Sequence, residues 1–308
     1  MRIAVTGGAG FIGSHLTDRL LELGHQVLVI DNLSTGKREN LNPYASFAQL
    51  DVLQTDDIMS LLESFLPDTV YHLAAQTSVS VSMKDPVKDA AINVMGTLNM
   101  LTACVHVGVR KFVFASSAAV YGIPTSLPIS EEHALEPLSP YGLSKKTCEL
   151  YIRLTCTQHH LSHSILRYAN VYGPRQDSNG EAGVISIFTE RQLNGRGVSV
   201  FGNGHQTRDF IYVKDLVAAN IAAMELEENV TLNIGTGIQT AISEVIRCLE
   251  HTSFPMTVEY AEKRLGDLEH STLNNSKAVQ QLNWSPRYSF LDGVSEYWRG
   301  LQKGRETV

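Results

Sequence analysis

Cysteine is scarce in this 308-residue chain. There are four, Cys104, Cys148, Cys156 and Cys248, widely spaced and without a Cys-x-x-Cys pair. That usage argues against a disulfide framework and a cysteine-built metal site, and it predicts buried free thiols in a reducing cytoplasm. His159, His160 and His163 cluster, but no cysteine or acid completes a ligand spacing, so no metal is expected. Positive charge is not in excess: 25 Lys and Arg stand against 32 Asp and Glu, a net charge of −7 with no block of one sign. Nucleic acid and anionic membrane surfaces are therefore not expected partners. A local basic pocket for a phosphorylated ligand stays possible on this count. No uninterrupted apolar run reaches the ~18 residues of a membrane span. The first residues show no basic stretch, apolar core and cleavage site of a signal peptide. Repeats and low-complexity segments are also missing. What is present is the composition of an ordinary globular protein, 43% hydrophobic and 19% charged. The length suits one large α/β unit with a smaller lobe, or two domains.

The most informative segment is residues 5–13, Val-Thr-Gly-Gly-Ala-Gly-Phe-Ile-Gly. The apolar run 2–6 predicts a buried strand. Residues 11–23 carry apolar side chains at helical spacing, and Gly24 stops them. A second apolar run, 27–30, ends at Asp31. Glycines between a strand and a helix make a dinucleotide cradle. Gly7 permits the tight turn, Gly10 lets the backbone approach a pyrophosphate, and Gly13 lets the helix pack on the strand. The N–H groups of the helix start, at Phe11 and Ile12, then meet the phosphates. Asp31 is placed to accept hydrogen bonds from the adenosine ribose. A carboxylate there repels a 2′-phosphate, so NAD is expected over NADP. Lys37 and Arg38, close by, read as solvated loop charges.

Strand and helix patterns alternate through the first 170 residues. Further strands are expected at 46–51, 69–73, 111–116 and 164–168, and helices at 56–65, 86–107 and 139–159. This order predicts a Rossmann-type α/β fold, a doubly wound parallel sheet with helices on both faces. After Pro174 the pattern loosens: a loop at 180–183, a helix at 184–193, short strands at 198–201 and 232–234, and a mixed tail. The expected division is a dinucleotide-binding domain over 1–172, with crossover segments near 208–238, and a smaller α/β substrate lobe mainly over 173–308.

Tyr141-Gly-Leu-Ser-Lys145 opens the helix after Pro140, so Tyr141 and Lys145 share one helix face. An ammonium at that distance lowers a phenol's pKa, and a phenolate can take a hydroxyl proton during hydride transfer. Ser117 follows the strand at 111–116. A serine at the C-terminal tip of a sheet strand points into the ligand crevice, where it can polarise a forming carbonyl. Ser117, Tyr141 and Lys145 are the candidate catalytic residues.

These segments together resemble the extended short-chain dehydrogenases/reductases, in their NAD-dependent nucleotide-sugar epimerase/dehydratase family, and within it the UDP-glucose 4-epimerase group. The resemblance spans almost the whole chain. It is carried in order by Thr6-Gly7-Gly8-Ala9-Gly10-Phe11-Ile12-Gly13, His72-Leu73-Ala74-Ala75-Gln76, Asn93, Ser117 with Tyr121, Tyr141 with Lys145, Leu166-Arg167-Tyr168-Ala169-Asn170, Arg208-Asp209-Phe210 and Arg264-Leu265-Gly266-Asp267. It implies that Asn32, Leu33, Asp51 and Val52 line the adenosine site. Leu73, Ala74, Ala75 and Asn93 would approach the pyrophosphate and nicotinamide half, and Tyr168 its far end. It also implies a nucleotide-sugar site: Asn170, Arg208 and Arg264 on the diphosphate, Asp267 on the uridine ribose, Ser199 and Phe201 beside the uracil, and Gly183 and Val184 beside the nucleotide. Two arginines far apart in sequence can converge on a diphosphate through charge-assisted forks.

Departures from the family pattern narrow the reading. Sugar dehydratases carry an Asp-Glu pair where this chain has Ala118-Ala119, and decarboxylases a glutamate at the second position. Dehydration needs an added acid and base, which alanines do not supply. Hydride and proton transfer at C4 remains, which is what epimerisation requires. Thr77 stands where longer epimerases have a lysine beside the substrate. Ser271 stands where epimerases restricted to plain hexoses carry a tyrosine, leaving room for an N-acetyl group. The resemblance further implies a homodimer through helices 86–107 and 139–159. The alternatives are a UDP-glucuronate 4-epimerase, a nucleotide-sugar reductase of this fold, and a non-catalytic NAD-sensing protein.

Overall fold

The computed structural model describes residues 1–177, 183–263 and 268–306, with side chains to residue 302. Six strands of the first 170 residues, β1 (Arg2–Thr6), β2 (Gln26–Ile30), β3 (Ser46–Ala48), β4 (Thr69–His72), β5 (Lys111–Ser117) and β6 (Ser162–Tyr168), join a later strand, Val230–Ile234. They form one seven-stranded sheet in the order Val230–Ile234, β6, β5, β4, β1, β2, β3. Every neighbouring pair is parallel. The crossovers are α1 (Phe11–Glu22), α2 (Thr55–Phe65), the broken run α3 (Val79–Lys84), α4 (Pro86–Ala90) and α5 (Gly96–Val107), and α6 (Pro140–His159).

Burial on both faces explains why the strands read as apolar runs. On one face Ile3, Val5, Val29 and Val113 pack with Leu16, Leu20 and Leu216. On the other, Ala4, Ile30, Val70 and Phe112 pack with Ile58, Leu62, Met100 and Ile152. Successive residues of β1 thus alternate between two cores. Each such aliphatic side chain contributes about 1.5–3 kcal/mol on burial. Strand order reverses at β1, between β4 and β2, and an open α/β sheet binds ligands at that point.

Beyond residue 169 the chain returns to the sheet for Val230–Ile234 and otherwise builds small two-stranded pieces. Asn170–Tyr172 pairs with Phe210–Tyr212 in parallel, Val198–Phe201 with Val258–Ala261 in parallel, and Thr207–Arg208 with Thr240–Ala241 antiparallel.

Several elements differ from the sequence expectation. The strand expected over 46–51 ends at Ala48, because Asp51 turns the chain by accepting the N–H of Leu53 (2.9 Å) and Gln54 bonds back to the Asp51 carbonyl (2.9 Å). The helix expected over 86–107 is interrupted by a π-helical turn at Ala91–Met95. A short helix at Val79–Lys84, capped by Ser78, was not expected. By length and composition Pro86–Val107 could cross a membrane, with mean hydropathy 1.4 over its best window. A search for uninterrupted apolar runs passes over it because Lys88 and Asp89 break the run. Here it packs against α2 and α6. The histidine cluster is dispersed: His160 closes α6 in a left-handed conformation, while His163 is buried in β6. Burial and nearby Lys111 push the His163 imidazole down to about 4.

Candidate active site

The C-terminal ends of the sheet strands gather the predicted cofactor residues. Gly7 adopts φ +71°, and a Cβ there would lie 2.8 Å from the Ala74 backbone nitrogen. A Cβ on Gly13 would run into the Gly7 carbonyl. On Gly10, by contrast, a Cβ would meet only the Gly7 carbonyl, at 3.1 Å. Gly10 is also the N-cap of α1 and offers no side-chain acceptor to the first-turn N–H groups of Phe11 and Ile12. A backbone turn that excludes side chains beneath an uncapped helix start fits a pyrophosphate. Asp31, 7% exposed at the tip of β2, accepts the Ala9 N–H (3.0 Å) and the Leu33 N–H (2.8 Å). Its carboxylate therefore ties the glycine loop to the loop after β2. Asn32 donates to Asp51 (2.7 Å), which brings two predicted adenosine-site residues together, and Val52 is buried beside them. Leu73 and Ala74 are joined to β1 through Thr6: the Leu73 N–H meets the Thr6 carbonyl (3.2 Å), and the Ala74 N–H meets the Thr6 hydroxyl (3.1 Å). Ala75 is half-buried at the same edge. The arrangement fits an NAD, with the glycine turn for its pyrophosphate and Asp31 for its ribose.

Ser117 ends β5 and caps the short turn Ala118–Val120 by accepting the Ala119 N–H at 3.2 Å. Ser139 caps α6 (3.1 Å to the Gly142 N–H) and Pro140 opens it, so Tyr141 and Lys145 fall on its first turns. Burial pushes the Tyr141 phenol up, and the Ser117 hydroxyl beside it opposes the rise. Lys145 is 3% exposed; its ammonium donates to the Ala115 carbonyl (2.8 Å) and lies 4.8 Å from the Phe114 ring centre. Burial pushes it down to about 8. Asn93, in the π-helical turn, is buried in a network: its carboxamide oxygen accepts the Gln76 N–H (2.8 Å), and its nitrogen donates to the Gln76 carbonyl (3.0 Å) and Ser144 Oγ (3.0 Å). The Tyr168 hydroxyl donates to Asn220 (2.6 Å), which fixes its ring at the end of β6.

The predicted substrate residues line the smaller elements. Asn170, exposed, is tied to the Asp209 carbonyl by its N–H (2.9 Å) and by its side chain (3.3 Å). Arg208 follows Thr207, whose carbonyl accepts the Ser271 N–H at 3.2 Å. Asn170, Arg208 and Ser271 are thereby brought to one neighbourhood. Asp209 organises it: this buried carboxylate accepts from Thr236 Oγ1 (2.6 Å) and the N–H groups of Thr236 (2.8 Å), Gly237 (3.1 Å) and Leu273 (3.3 Å). Ser199 and Phe201 sit on one short strand, and Gly183 caps the helix that Val184 begins. Thr77 is exposed just after β4. Arg264 and Asp267 lie outside the described residues.

Residues 3–235 match the model of the NAD dependent epimerase/dehydratase family. The chain belongs to this family. Among relatives of this epimerase/dehydratase chain, the UDP-glucose 4-epimerase of Mycolicibacterium smegmatis is 41% identical over 308 residues, covering 96% of this chain and 97% of that one. A UDP-glucose 4-epimerase from Thermotoga maritima, solved with UDP-glucose, superposes with a TM-score of 0.97 at 42% identity, covering 99% of this chain and 100% of that one. A UDP-N-acetylglucosamine 4-epimerase from Methanobrevibacter ruminantium, in complex with UDP-N-acetylmuramic acid, superposes with a TM-score of 0.93 at 35% identity, covering 98% of each chain.

Sequence reasoning gave no role to the buried polar residues that hold this family member's site together, although Tyr121 and Arg167 stand in its motifs. Arg167 is 1% exposed, with Nε and Nη2 on Glu149 (2.9 and 2.6 Å) and Nη1 on the Tyr121 hydroxyl (2.8 Å). Ser116 donates to the same glutamate (2.6 Å), and Tyr121 donates to Asn233 (2.6 Å) on the last sheet strand. Glu149, one turn after Lys145 on α6, could have been noticed as an acid among core positions. Its partner could not, since the pairing spans 18 residues and two elements.

Proposed function

We propose that the protein is an NAD-dependent isomerase that inverts UDP-hexoses at C4, exchanging UDP-glucose and UDP-galactose through a transient 4-keto sugar. The observation that carries this reading is the Ser117–Tyr141–Lys145 cluster in the crevice, with alanines at 118 and 119, directly after Ser117, where a dehydratase carries its added acid and base. Such a site can move a hydride and a proton at one carbon, and little else. Bound NAD would supply the hydride acceptor, held by the glycine turn from Gly7 to Gly13 and by Asp31. Tyr141 takes the O4 proton and returns it. Ser117 hydrogen-bonds the same oxygen as it becomes a carbonyl, and Lys145 counters the charge of the phenolate. Asn170 and Arg208, with Arg264, hold the diphosphate while the keto sugar turns over and presents its other face.

The test is incubation of purified protein with a panel of UDP-sugars and no added cofactor. UDP-galactose should form from UDP-glucose, and acid release should yield NAD in stoichiometric amount. Consumption of external NAD(P)H would identify a reductase, stoichiometric NADP would remove the Asp31 argument, and turnover of UDP-glucuronate alone would change the substrate. No turnover of any sugar, with NAD bound, would favour a sensing role.

A second observation widens the substrate. Ser271 lies against the strand that carries Arg208, and a serine leaves room for an N-acetyl group, so UDP-GlcNAc and UDP-GalNAc belong to the proposed range. A homodimer is proposed for the apolar face that α4–α6 leave exposed. Leu143, Leu150 and Leu154 are 54%, 57% and 57% exposed on α6, with Val87 and Met95 at 77% and 51% beside them. This face is read as a protein interface and not as a membrane span. The four thiols are unpaired, in keeping with a reducing cytoplasm.

A further inference from the structure

Asp89 stands on α4, is 1% exposed and forms no ion pair among the described residues. Its Oδ1 accepts from Gln76 Nε2 (2.8 Å) and Asn93 Nδ2 (3.2 Å). Its Oδ2, also buried, has no hydrogen-bond partner among the described residues. The same Asn93 nitrogen donates to Ser144 Oγ, whose hydroxyl donates to the Tyr141 carbonyl (2.9 Å). A chain of hydrogen bonds thus runs from Asp89 to the backbone of the candidate proton carrier. A buried carboxylate with one free oxygen is costly.

The other groups around Tyr141 and Lys145 are accounted for. His72 of β4 is neutral, because burial pushes it down to about 3. Burial pushes the Cys148 thiol of α6 up, which keeps it protonated. Glu149 is engaged by Arg167, and Ser117 of β5 carries no charge. Asp89 and Glu149 both support the Lys145 ammonium, and Asp89 is the one of the two that also acts on the Tyr141 phenol.

We propose that Asp89 is a positioning residue of the reaction: it anchors the hydrogen-bond chain that seats the first turn of α6, and its buried charge balances the ammonium of Lys145 beside Tyr141. This rests on the epimerase reading, in which Tyr141 must both take and return a proton. A negative charge that supports Lys145 as a cation also opposes the Tyr141 phenolate, so neither protonation state is held too firmly. Removing the charge has one sign for both groups: both pKa values fall.

The experiment compares Asp89→Asn with Asp89→Ser, whose smaller side chain leaves room for water at Gln76 and Asn93, and with Ser144→Ala, which cuts the chain but keeps the charge. The first readout is the NMR titration of the Lys145 ε-carbon in purified protein, assigned with Lys145→Arg. It does not depend on turnover, so loss of the epimerase reading and loss of this one remain distinguishable. Both Asp89 variants should lower the Lys145 midpoint by about one unit, the low end for loss of a nearby opposite charge. Both limbs of the kcat/KM profile should move to lower pH, with the affinity for UDP unchanged. Ser144→Ala should lower kcat without moving either limb. A Lys145 midpoint and pH limbs unchanged in the folded neutral variants, or a loss confined to UDP affinity, would overturn the proposal.

Discussion

The two halves of the site are built differently. Around Ser117, Tyr141 and Lys145, polar side chains are buried and hydrogen-bonded to one another across β4, β5, α4, α6 and the π-helical turn, with only Oδ2 of Asp89 left over among the described residues of this network, so the chemistry sits on a frame tied together by side-chain bonds. Around Asn170, Arg208 and Ser271 the frame consists of pieces two to four residues long, and the buried organiser is Asp209, which gathers three backbone N–H groups from two separate segments. The first kind of frame suits proton and hydride transfer, where small misplacements are costly. The second suits a group that must be gripped at its phosphates and turned at its sugar.

Four changes would break or sharpen that contrast. The largest effect is expected from Tyr141→Phe, which should lower kcat about 10²–10⁴-fold, the range for losing a positioned acid–base group. Calorimetry should find UDP binding unaltered, since the diphosphate contacts belong to the other half. Near-native turnover would mean that another base acts. Next comes Glu149→Gln, which leaves Arg167 charged and buried against Tyr121; breaking such a pair costs about 3–5 kcal/mol. Chemical denaturation of the variant reads it directly, and an unchanged midpoint would show that this half is not framed by its buried polar network. Arg208→Ala should invert the emphasis of Tyr141→Phe, weakening UDP binding by about 1.5–3 kcal/mol for a lost charged hydrogen bond. An unchanged dissociation constant would take Arg208 out of the site. The smallest effect is expected from Ser271→Tyr, which should cut kcat/KM for the N-acetylhexosamine pair by at least about tenfold, a modest steric discrimination, and spare the hexose pair. If the parent protein does not turn over UDP-GlcNAc at all, the pocket argument fails before the mutation is made.

The same contrast governs how much could be read in advance. Gly7, Gly10, Gly13 and Asp31 lie within 25 residues, and local rules of strand, turn and helix place them. Tyr141 and Lys145 are four apart on one helix, so their shared face follows from helical periodicity. Asn170, Arg208 and Ser271 have no such local signature. They were reached through resemblance alone, because pairings between short strands 38 and more residues apart bring them together. The π-helical turn was invisible for a related reason: Ala91–Met95 fits an ordinary helix by propensity, and the Gln76–Asn93 and Asn93–Ser144 bonds reach far beyond a turn.

By itself the sequence determined the alternation of apolar runs, hence a doubly wound parallel sheet, and the cofactor turn with its acid, because periodicity and backbone sterics act over a few residues. Only the tertiary structure decided which buried polar groups face one another: Arg167 with Glu149, Asp209 with Thr236 and Leu273, Asn93 with Ser144. A polar side chain loses its water when buried and must find its partner wherever the fold delivers one, at a sequence distance that no local pattern encodes.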